Sequence, residues 1–284
     1  MHSQMKKLMS WSEVVAAVAD ARNKGYLATN FFPDERRVSE WCENGSFSLC
    51  DAGKGVFFIR VQNDFASLYY MLGDVSALSD TFVSVRDSIA FSRIVADVVG
   101  PEAIRRKSCE AFAEVGFAKI SELVRMSRKT PECGVVAAGG VSDAHASDIP
   151  SLKSLFADNF NPLVEQLPSE RELAHWIGRD EILVVRDDGG VAHSFVIFDL
   201  SPASLYLRYW FVSPQYRNQG VGSRLANGMF AKAVSTRRQY LWVITDNDNA
   251  IKRYEHYGFT CEAMRNVTLL YEKAKGPNDV CKRQ

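Results

Sequence analysis

The strongest constraint on the fold is an internal repeat within the 284 residues of the chain. Three short motifs each occur twice and in the same order: Pro-x-Glu-Arg with a tryptophan eight residues after the proline, Ala-Ser-Leu-Tyr, and an aromatic residue followed four residues later by Gly-Phe. The paired segments are 33–41 with 168–176, 66–69 with 203–206, and 112–117 with 254–259. Because the separation between partners grows slowly, from 135 to 142 residues, we predict two copies of one fold.

The joint between the copies is predicted near residues 130–140, where Pro131, Gly134 and the pair Gly139-Gly140 punctuate a stretch of small residues. We therefore predict a first domain at residues 1–130 and a second at 131–284. One alternative is open at this point, because residues 135–141 could equally form the first strand of the second copy.

Composition excludes several classes of protein. Lys+Arg and Asp+Glu both number 34, so there is no excess of positive charge for a nucleic-acid partner, and 46% hydrophobic residues exclude a disordered chain. No apolar run reaches the roughly 18 residues of a membrane span, and Glu13 and Asp20 interrupt the N-terminal stretch. We expect a cytoplasmic protein with no membrane partner. The dispersed cysteines and histidines predict no metal site.

Periodicity and turn residues predict an α+β domain with a mixed sheet in the second copy. A hairpin turn is expected at Asp187–Gly190. The predicted elements are helices from Ser147 and over Ser169–Trp176, strands Ile182–Arg186, Val191–Phe198 and Leu205–Val212, helix Gly220–Val234, strand Tyr240–Thr245, helix Asn247–His256, and two last strands around Cys261 and at Val267–Tyr271.

A glycine-bearing loop between a strand and a helix, Val212–Leu225, carries the clearest chemical signal. Such a turn exposes successive backbone N–H groups, and the helix N-terminus adds a positive dipole, so the loop is suited to hold phosphate. Gly220 and Gly222 let the backbone approach a ligand closely, and Arg217 adds a cation. The loop is not a dinucleotide fingerprint, because Leu225 stands at the third glycine position, and it lacks the Gly-Lys-Ser/Thr of a nucleotide P-loop.

The loop resembles the pyrophosphate loop of the GNAT family of N-acetyltransferases, Arg/Gln-x-x-Gly-x-Gly/Ala. A second GNAT motif, Asn-x-x-Ala-x-x-x-Tyr-x-x-x-Gly-Phe, is filled at every position downstream, and Val-x-Pro precedes the loop. The residues that carry the resemblance are Val212, Pro214, Arg217, Gly220, Gly222, Asn247, Ala250, Tyr254, Gly258 and Phe259. The resemblance spans roughly residues 134–273.

The resemblance implies two tandem GNAT-like acyl-CoA N-acyltransferase domains, with acetyl-CoA as co-substrate and no metal. It implies that strand-end backbone groups and Asn247 hold the pantetheine arm and that the loop surrounds the pyrophosphate. The cofactor-binding residues so implied are Phe211, Val212, Arg217, Asn218, Gln219, Gly220, Val221, Gly222, Ser223, Arg224 and Asn247. Tyr254 is implied as the catalytic general acid for the CoA thiolate. In the alternative interpretation, Tyr254 only packs against CoA and the arginines are exposed charges.

The sequence departs from the family where many relatives place an acid on the strand before the loop, because Leu205–Phe211 contains none. His193 and Asp199 are the nearest substitutes as proton acceptor, with surface polar roles as the alternative. Arg208, in that strand, would either hold a carboxylate of the acceptor or pair with a surface carboxylate.

The first copy is predicted to be degenerate. No Arg-x-x-Gly-x-Gly follows Tyr69, Asp74 and Asp80 would repel a pyrophosphate, and Phe112 stands at the position of the tyrosine acid. The arrangement resembles tandem GNAT proteins in which one half lacks the CoA motif.

The resemblance implies an enzyme that transfers an acetyl group from acetyl-CoA to a primary amine of a small molecule by direct attack. The alternatives are a non-catalytic acyl-CoA-binding or regulatory module and a protein-lysine acetyltransferase. We expect either a monomer with pseudo-dimeric domains or a homodimer.

Overall fold

The computed structural model describes residues 5–131 and 139–273, and the chain divides into two compact units. Unit 1 comprises Met1–Glu122 together with Met264–Gln284, and unit 2 comprises Leu123–Ala263. The division therefore differs from the predicted boundary at 130/131, since the second unit begins earlier and the last part of the chain returns to unit 1. The alternative first strand at 135–141 lies mostly outside the described residues. Within these residues, no helix has both the length and the apolar composition needed to cross a membrane.

The same order of elements occurs twice along the chain. The first copy contains β1 (Met5–Lys7), α1 (Trp11–Asn23), β2 (Ala28–Thr29), α2 (Glu35–Glu43), β3 (Phe47–Asp51), β4 (Gly55–Val61), β5 (Ala66–Leu72), α3 (Leu78–Arg86), β6 (Arg93–Gly100) and α4 (Glu102–Glu114). After β7 (Ala118–Lys129), the second contains β8 (Ser142–Asp143), α5 (Ile149–Asn159), α6 (Glu170–Ile177), β9 (Ile182–Arg186), β10 (Ala192–Leu200), β11 (Ser204–Val212), α7 (Val221–Lys232), β12 (Arg238–Ile244), α8 (Asp248–His256) and β13 (Thr260–Glu272).

The predicted repeat and mixed sheet are confirmed by this order and by strand direction. In unit 1 the sheet runs β1-β3-β4-β5-β6-β13, with β5 parallel to β6 and β2 beside β5. In unit 2 it runs β7-β12-β11-β10-β9-β8, with β11 parallel to β12. The other neighbouring pairs within each unit are antiparallel.

The prediction of two closing strands is wrong, because β13 is one continuous strand of 13 residues. No glycine or proline interrupts Thr260–Glu272, so the chain has no turn residue at which to reverse. Residues Arg265–Glu272 pair with β6 of unit 1. In unit 2 the edge of β12 pairs instead with Leu123–Lys129 of β7. Each sheet thus receives a strand from the other half of the sequence.

Helices cover both faces of the unit 2 sheet. On one face Leu205 and Leu207 of β11 pack with Leu225 and Met229 of α7, and residues of α8 pack on the same cluster. On the other face, the aromatic side chains of α5, α6 and the strands form a second cluster. It includes Phe156, Trp176, Phe195 and Phe211. The start of α6 is fixed as predicted, since Ser169 and Glu172 form a reciprocal capping box.

Unit 2 contains an open wedge between its two parallel strands. β11 and β12 pair only from Ser204↔Arg238 to Leu207↔Leu241, although both strands continue. Beyond that point β11 remains paired with β10 as far as Val212, so only its other edge loses a partner. A bulge at Arg208, where Phe198 faces Leu207 and Ile197 faces Tyr209, marks the separation. We call this gap the unit 2 wedge.

The corresponding unit 1 wedge is filled by the chain itself. β5 and β6 pair only from Ala66↔Ile94 to Leu68↔Ala96, as in the other copy. Since β4 occupies one edge of β5 throughout, β2 pairs with Met71 and Leu72 on the edge that β6 leaves. The segment after α1 therefore enters the gap as a short strand.

Asn30, directly after β2, joins the two separating strands of unit 1. Its amide nitrogen donates to the carbonyl oxygens of Leu68 (3.1 Å) and Asp97 (2.9 Å), and its oxygen accepts from the amide of Tyr70 (2.8 Å). The hydroxyl of Thr29 donates to the carbonyl of Tyr70 at 2.6 Å. Asn30 is 7% exposed, so these bonds satisfy backbone groups that would otherwise be buried without partners.

Replacing Asn30 tests whether this filling is structural. We expect Asn30→Ala to lower the free energy of unfolding by about 2–4 kcal/mol, because it leaves buried backbone donors and acceptors of both strands unsatisfied. Urea denaturation monitored by circular dichroism measures the change. Asn44→Ala, at an exposed helix end, is the matched control and should change stability by less than about 0.5 kcal/mol. Equal stabilities for the two variants would contradict the role given to Asn30.

Candidate functional site

The loop after β11 presents a run of unpaired backbone donors. It passes through a single 3₁₀ turn at Pro214–Tyr216 and then bends twice through positive φ, at Asn218 (62°) and Gly220 (75°), before α7 begins. The first helical bond of α7 is donated by the amide of Arg224 to Gly220. Among the described residues, no backbone amide from Asn218 to Ser223 donates to another protein group. The loop therefore offers consecutive N–H groups at a helix N-terminus.

A cavity of about 450 Å³ lies between this loop and α8, and we call it the α7–α8 cavity. It brings together seven residues of the predicted cofactor set with five residues that the sequence analysis did not single out. The first group is Val212, Arg217, Asn218, Gly220, Val221, Gly222 and Ser223. The second group is Asn249, Lys252, Arg253, His256 and Tyr257.

The α7–α8 cavity is electropositive although the chain as a whole has no net charge. Arg217, Lys252, Arg253 and His256 line it, and its described lining residues include no carboxylate. The free amides of the loop and the dipole of α7 add to the same potential. A concave surface with this concentration of positive charge favours a phosphate-bearing ligand.

The residues missed on α8 share one face of that helix. Asn249, Lys252, Arg253 and His256 follow the i, i+3, i+4, i+7 spacing that places side chains on a single side. Their spacing and three basic members were readable in the sequence. The family motif directed attention instead to Asn247, Ala250 and Tyr254, which follow a different stripe of the same helix.

Trp210 forms the inner wall of the site where the wedge meets the cavity. A Cβ added to Gly222 would lie 3.5 Å from its ring, and the Arg253 guanidinium lies 5.7 Å from the ring centroid. The rings of Tyr254 and Tyr257 lie 5.8 and 5.9 Å away. The indole nitrogen of Trp210 is buried and has no hydrogen-bond partner among the described residues. A bound hydrogen-bond acceptor would satisfy this donor.

Tyr254 lies behind Trp210 and not on the described lining of the cavity. Its ring also approaches Phe259 at 6.1 Å, and burial raises the pKa of its hydroxyl to about 12. A tyrosine in this state carries its proton throughout the neutral range, which suits a proton donor.

Four other residues of the predicted cofactor set lie outside the described cavity lining. The Phe211 side chain packs in the cluster on the opposite face, and the Gln219 side chain turns back to the carbonyl of Gln215. The Arg224 guanidinium lies against Gly140, since a Cβ added to this glycine would be 2.5 Å from it. The Asn247 side chain caps α8 by accepting from the amide of Ala250 at 3.1 Å.

Arg217, which does line the cavity, also braces the loop. Its Nε donates to the carbonyl of Val212 at 3.1 Å, so the side chain links the end of β11 to the turn before α7. This bond holds the guanidinium near the free amides of the loop.

The side chains considered as proton acceptors are both engaged. Asp199 accepts from the Trp176 indole at 2.7 Å and from Arg208 Nε at 2.5 Å, which fixes both of its oxygens. Arg208 therefore pairs with a carboxylate of the protein. His193 stacks on Tyr216 at a centroid distance of 3.5 Å, its Nδ1 bonds the Ser194 hydroxyl, and burial lowers the pKa of its imidazole.

Comparison with known proteins identifies the second copy. A family model described as the acetyltransferase (GNAT) family matches residues 149–259. No curated protein sequence matches the chain. The similar solved structures share less than 25% sequence identity with it, so they bear on the fold alone.

Among these structures, a tandem GNAT protein from the clavulanic acid biosynthesis pathway has a TM-score of 0.62 at 12% identity, covering 96% of this chain and 99% of its own. A GCN5-related N-acetyltransferase from Sphaerobacter thermophilus has a TM-score of 0.59 at 13% identity, covering 86% and 87%. A GNAT-family acetyltransferase from Colwellia psychrerythraea has a TM-score of 0.52 at 14% identity, covering 95% and 100%. Residues 149–259 thus match the acetyltransferase (GNAT) family model, and the chain as a whole shares the fold of tandem GNAT proteins.

Proposed function

We propose that unit 2 binds acetyl-CoA and transfers its acetyl group to a primary amine of a small molecule. The observation that carries this proposal is the junction of an open wedge with an electropositive cavity. The wedge offers the unpaired edge of β11 to an extended amide-bearing arm, and the cavity offers free amides and four basic side chains to phosphates. Acetyl-CoA has both of these chemical parts in one molecule.

The residues present fit this co-substrate. Loop amides from Asn218 to Ser223 and the side chains of Arg217 and Arg253 would hold the pyrophosphate. The orphaned indole N–H of Trp210 would find an acceptor on the bound arm. The absence of a side chain at Gly222, which faces Trp210 and Arg253, leaves room for the ligand between β11 and α8.

The reaction we propose is direct attack of the amine on the thioester carbonyl. The wedge would hold the thioester against the end of β11, where the Val212 amide would stabilise the developing oxyanion. The C–N bond forms, the C–S bond breaks, and the Tyr254 hydroxyl gives its proton to the departing thiolate. The amine loses one proton in exchange, so the products are an N-acetyl amine and the CoA thiol.

We propose further that unit 1 binds no CoA. β2 and Asn30 already occupy the backbone edge that a pantetheine arm would use, which supports the prediction of a degenerate first copy made from its missing motif. One acetyl-CoA per chain is therefore expected.

A non-catalytic acyl-CoA-binding module is the competing candidate. The observation that favours it is that both oxygens of Asp199 are bonded and that His193 is stacked on Tyr216 and bonded to Ser194 through Nδ1. Thiol release from acetyl-CoA in the presence of spermidine, glucosamine or ethanolamine distinguishes the two, because a binding module would leave the uncatalysed rate unchanged.

Calorimetric titration of acetyl-CoA tests the site. We expect one site per chain, and we expect Gly222→Leu to weaken binding by at least about 100-fold, or about 2.7 kcal/mol, by filling the space beside Trp210. Gly178→Leu, at an exposed helix end of the same unit, is the control and should bind like the wild type. Two sites per chain, or unaltered binding by Gly222→Leu, would contradict the proposal.

Replacing Tyr254 tests the proton donor. We expect Tyr254→Phe to lower kcat by about 10²-fold or more with little change in acetyl-CoA affinity. Because the pKa of the hydroxyl is raised to about 12, its protonated form persists as pH rises, so ionisation of Tyr254 should cause no loss of wild-type activity below about pH 11. A full rate for Tyr254→Phe would show that the ring only packs.

A further inference from the structure

The amine that attacks a thioester must give up a proton, and β11 contains no acid to take it. This inference rests on the proposed function and concerns the residue that accepts that proton. The acceptor amine must reach the wedge from the face opposite the α7–α8 cavity, because the phosphate-binding groups occupy the α7–α8 face. On that opposite face, the segment between α5 and α6 lies over the end of β11.

Two contacts fix this segment against the face of β11. At its start, the ring of Phe160 lies 5.8 Å from the rings of both Tyr209 and Phe211. Near its end, the Tyr209 hydroxyl donates to the carbonyl of Gln166. The intervening residues therefore cross β11 just beyond the bulge, where β11 has separated from β12.

Glu165 is the one carboxylate of residues 160–166, and it precedes by one residue the carbonyl bound by Tyr209. It is half-buried, and one of its oxygens accepts from the amide of Asn161 at 3.1 Å. No lysine, arginine or histidine of the described residues forms an ion pair with it. Among the described residues, no group bonds its second oxygen.

Three other half-buried or buried carboxylates of unit 2 are held by cations. Asp148 pairs with Arg186 at 2.6 Å, Glu181 pairs with Arg179 at 2.9 Å, and Asp199 pairs with Arg208. At Asp148 burial is outweighed by the Arg186 guanidinium and the amide of His145, so the pKa of the carboxyl is lowered.

The surroundings of Glu165 favour the protonated form of its carboxyl. Burial raises the pKa of its carboxyl, and the amide of Asn161 opposes this rise. Tyr209 is the titratable side chain of β11 that contacts the segment. Among the described residues of β11, α5 and α6, no charged side chain adds to these two causes of the pKa shift of Glu165. A carboxylate with a raised pKa is a stronger base.

We propose that Glu165 is the general base that accepts the proton of the acceptor amine. As the nitrogen bonds to the thioester carbon, one N–H proton moves to the free oxygen of the Glu165 carboxylate. The C–S electron pair leaves with sulfur, which takes a proton from Tyr254. Solvent then returns the proton of Glu165 to Tyr254, so the enzyme is restored.

Two small amines separate this role from a structural one. Hydroxylamine is unprotonated at neutral pH and needs little help from a base, whereas ethanolamine is protonated and needs more. We expect Glu165→Gln to lower kcat with ethanolamine by about 100-fold and with hydroxylamine by much less. In the wild type, we expect the acid limb of the pH profile of kcat/KM to lie above the ordinary glutamate pKa, which is near 4.3. This limb should disappear in Glu165→Gln. Calorimetric affinity for acetyl-CoA should not change.

Glu170→Gln is the matched control, since Glu170 is exposed and pairs with Lys153, and it should keep the wild-type rate and pH profile. Glu165→Asp should retain the acid limb with a reduced rate. A Glu165→Gln variant that keeps the limb, or loses equal rate with both amines, would overturn the proposal, as would a loss of acetyl-CoA affinity. A wild-type protein that does not bind acetyl-CoA would instead refute the proposed function itself.

Discussion

The architecture of each unit depends on one constraint. The backbone groups of a central strand need new hydrogen-bond partners where its parallel neighbour separates from it. β5 loses β6 after Leu68, and β11 loses β12 after Leu207. Backbone groups at such a place need partners, because burying them unpaired costs free energy. In unit 1 the chain supplies those partners through β2 and Asn30. In unit 2 the same edge is open, and a ligand with an extended amide-bearing arm is the partner that we propose.

Different chemical groups surround the open wedge on the two faces of the unit 2 sheet. Positive charge is concentrated at the start of α7 and on one face of α8, in a chain whose total charge is zero. Acidic and aromatic groups lie on the other face, around Tyr209 and the segment that carries Glu165. This division separates the place for phosphates from the place for an amine. The proton donor and acceptor that we propose, Tyr254 and Glu165, are divided in the same way between the two sides of β11.

Sequence patterns predict best the features that depend on residues close together in the chain. The order of elements, the start of α6 and the loop at Gly220 were all predictable, because turn residues, caps and apolar periodicity act over a few positions. The family motif likewise located the cavity through Arg217 and Gly222. The basic face of α8 was equally local in its spacing, and it was overlooked because the motif names other residues of that helix.

The features that were missed depend on distant partners. Asn30 bonds residues 38 to 67 positions away, so no local pattern marks it as part of unit 1's wedge. The return of β13 to β6 joins residues more than 160 positions apart, which is why the closing strands were predicted incorrectly. Asp199 and Arg208 differ in this respect, since they lie nine positions apart and their pairing is one of the two roles that the sequence left open for Arg208.

Hydrogen exchange of the backbone amides, with and without acetyl-CoA, tests the contrast between the two wedges most directly. We expect acetyl-CoA to slow exchange in Asn218–Ser223, whose amides have no partner in the described protein, and at those amides of Trp210–Val212 that face away from β10. Exchange in Tyr69–Leu72 should be slow already and unaffected, because β2 and Asn30 protect that edge. Protection of Tyr69–Leu72 by acetyl-CoA, or none at Asn218–Ser223, would contradict the account.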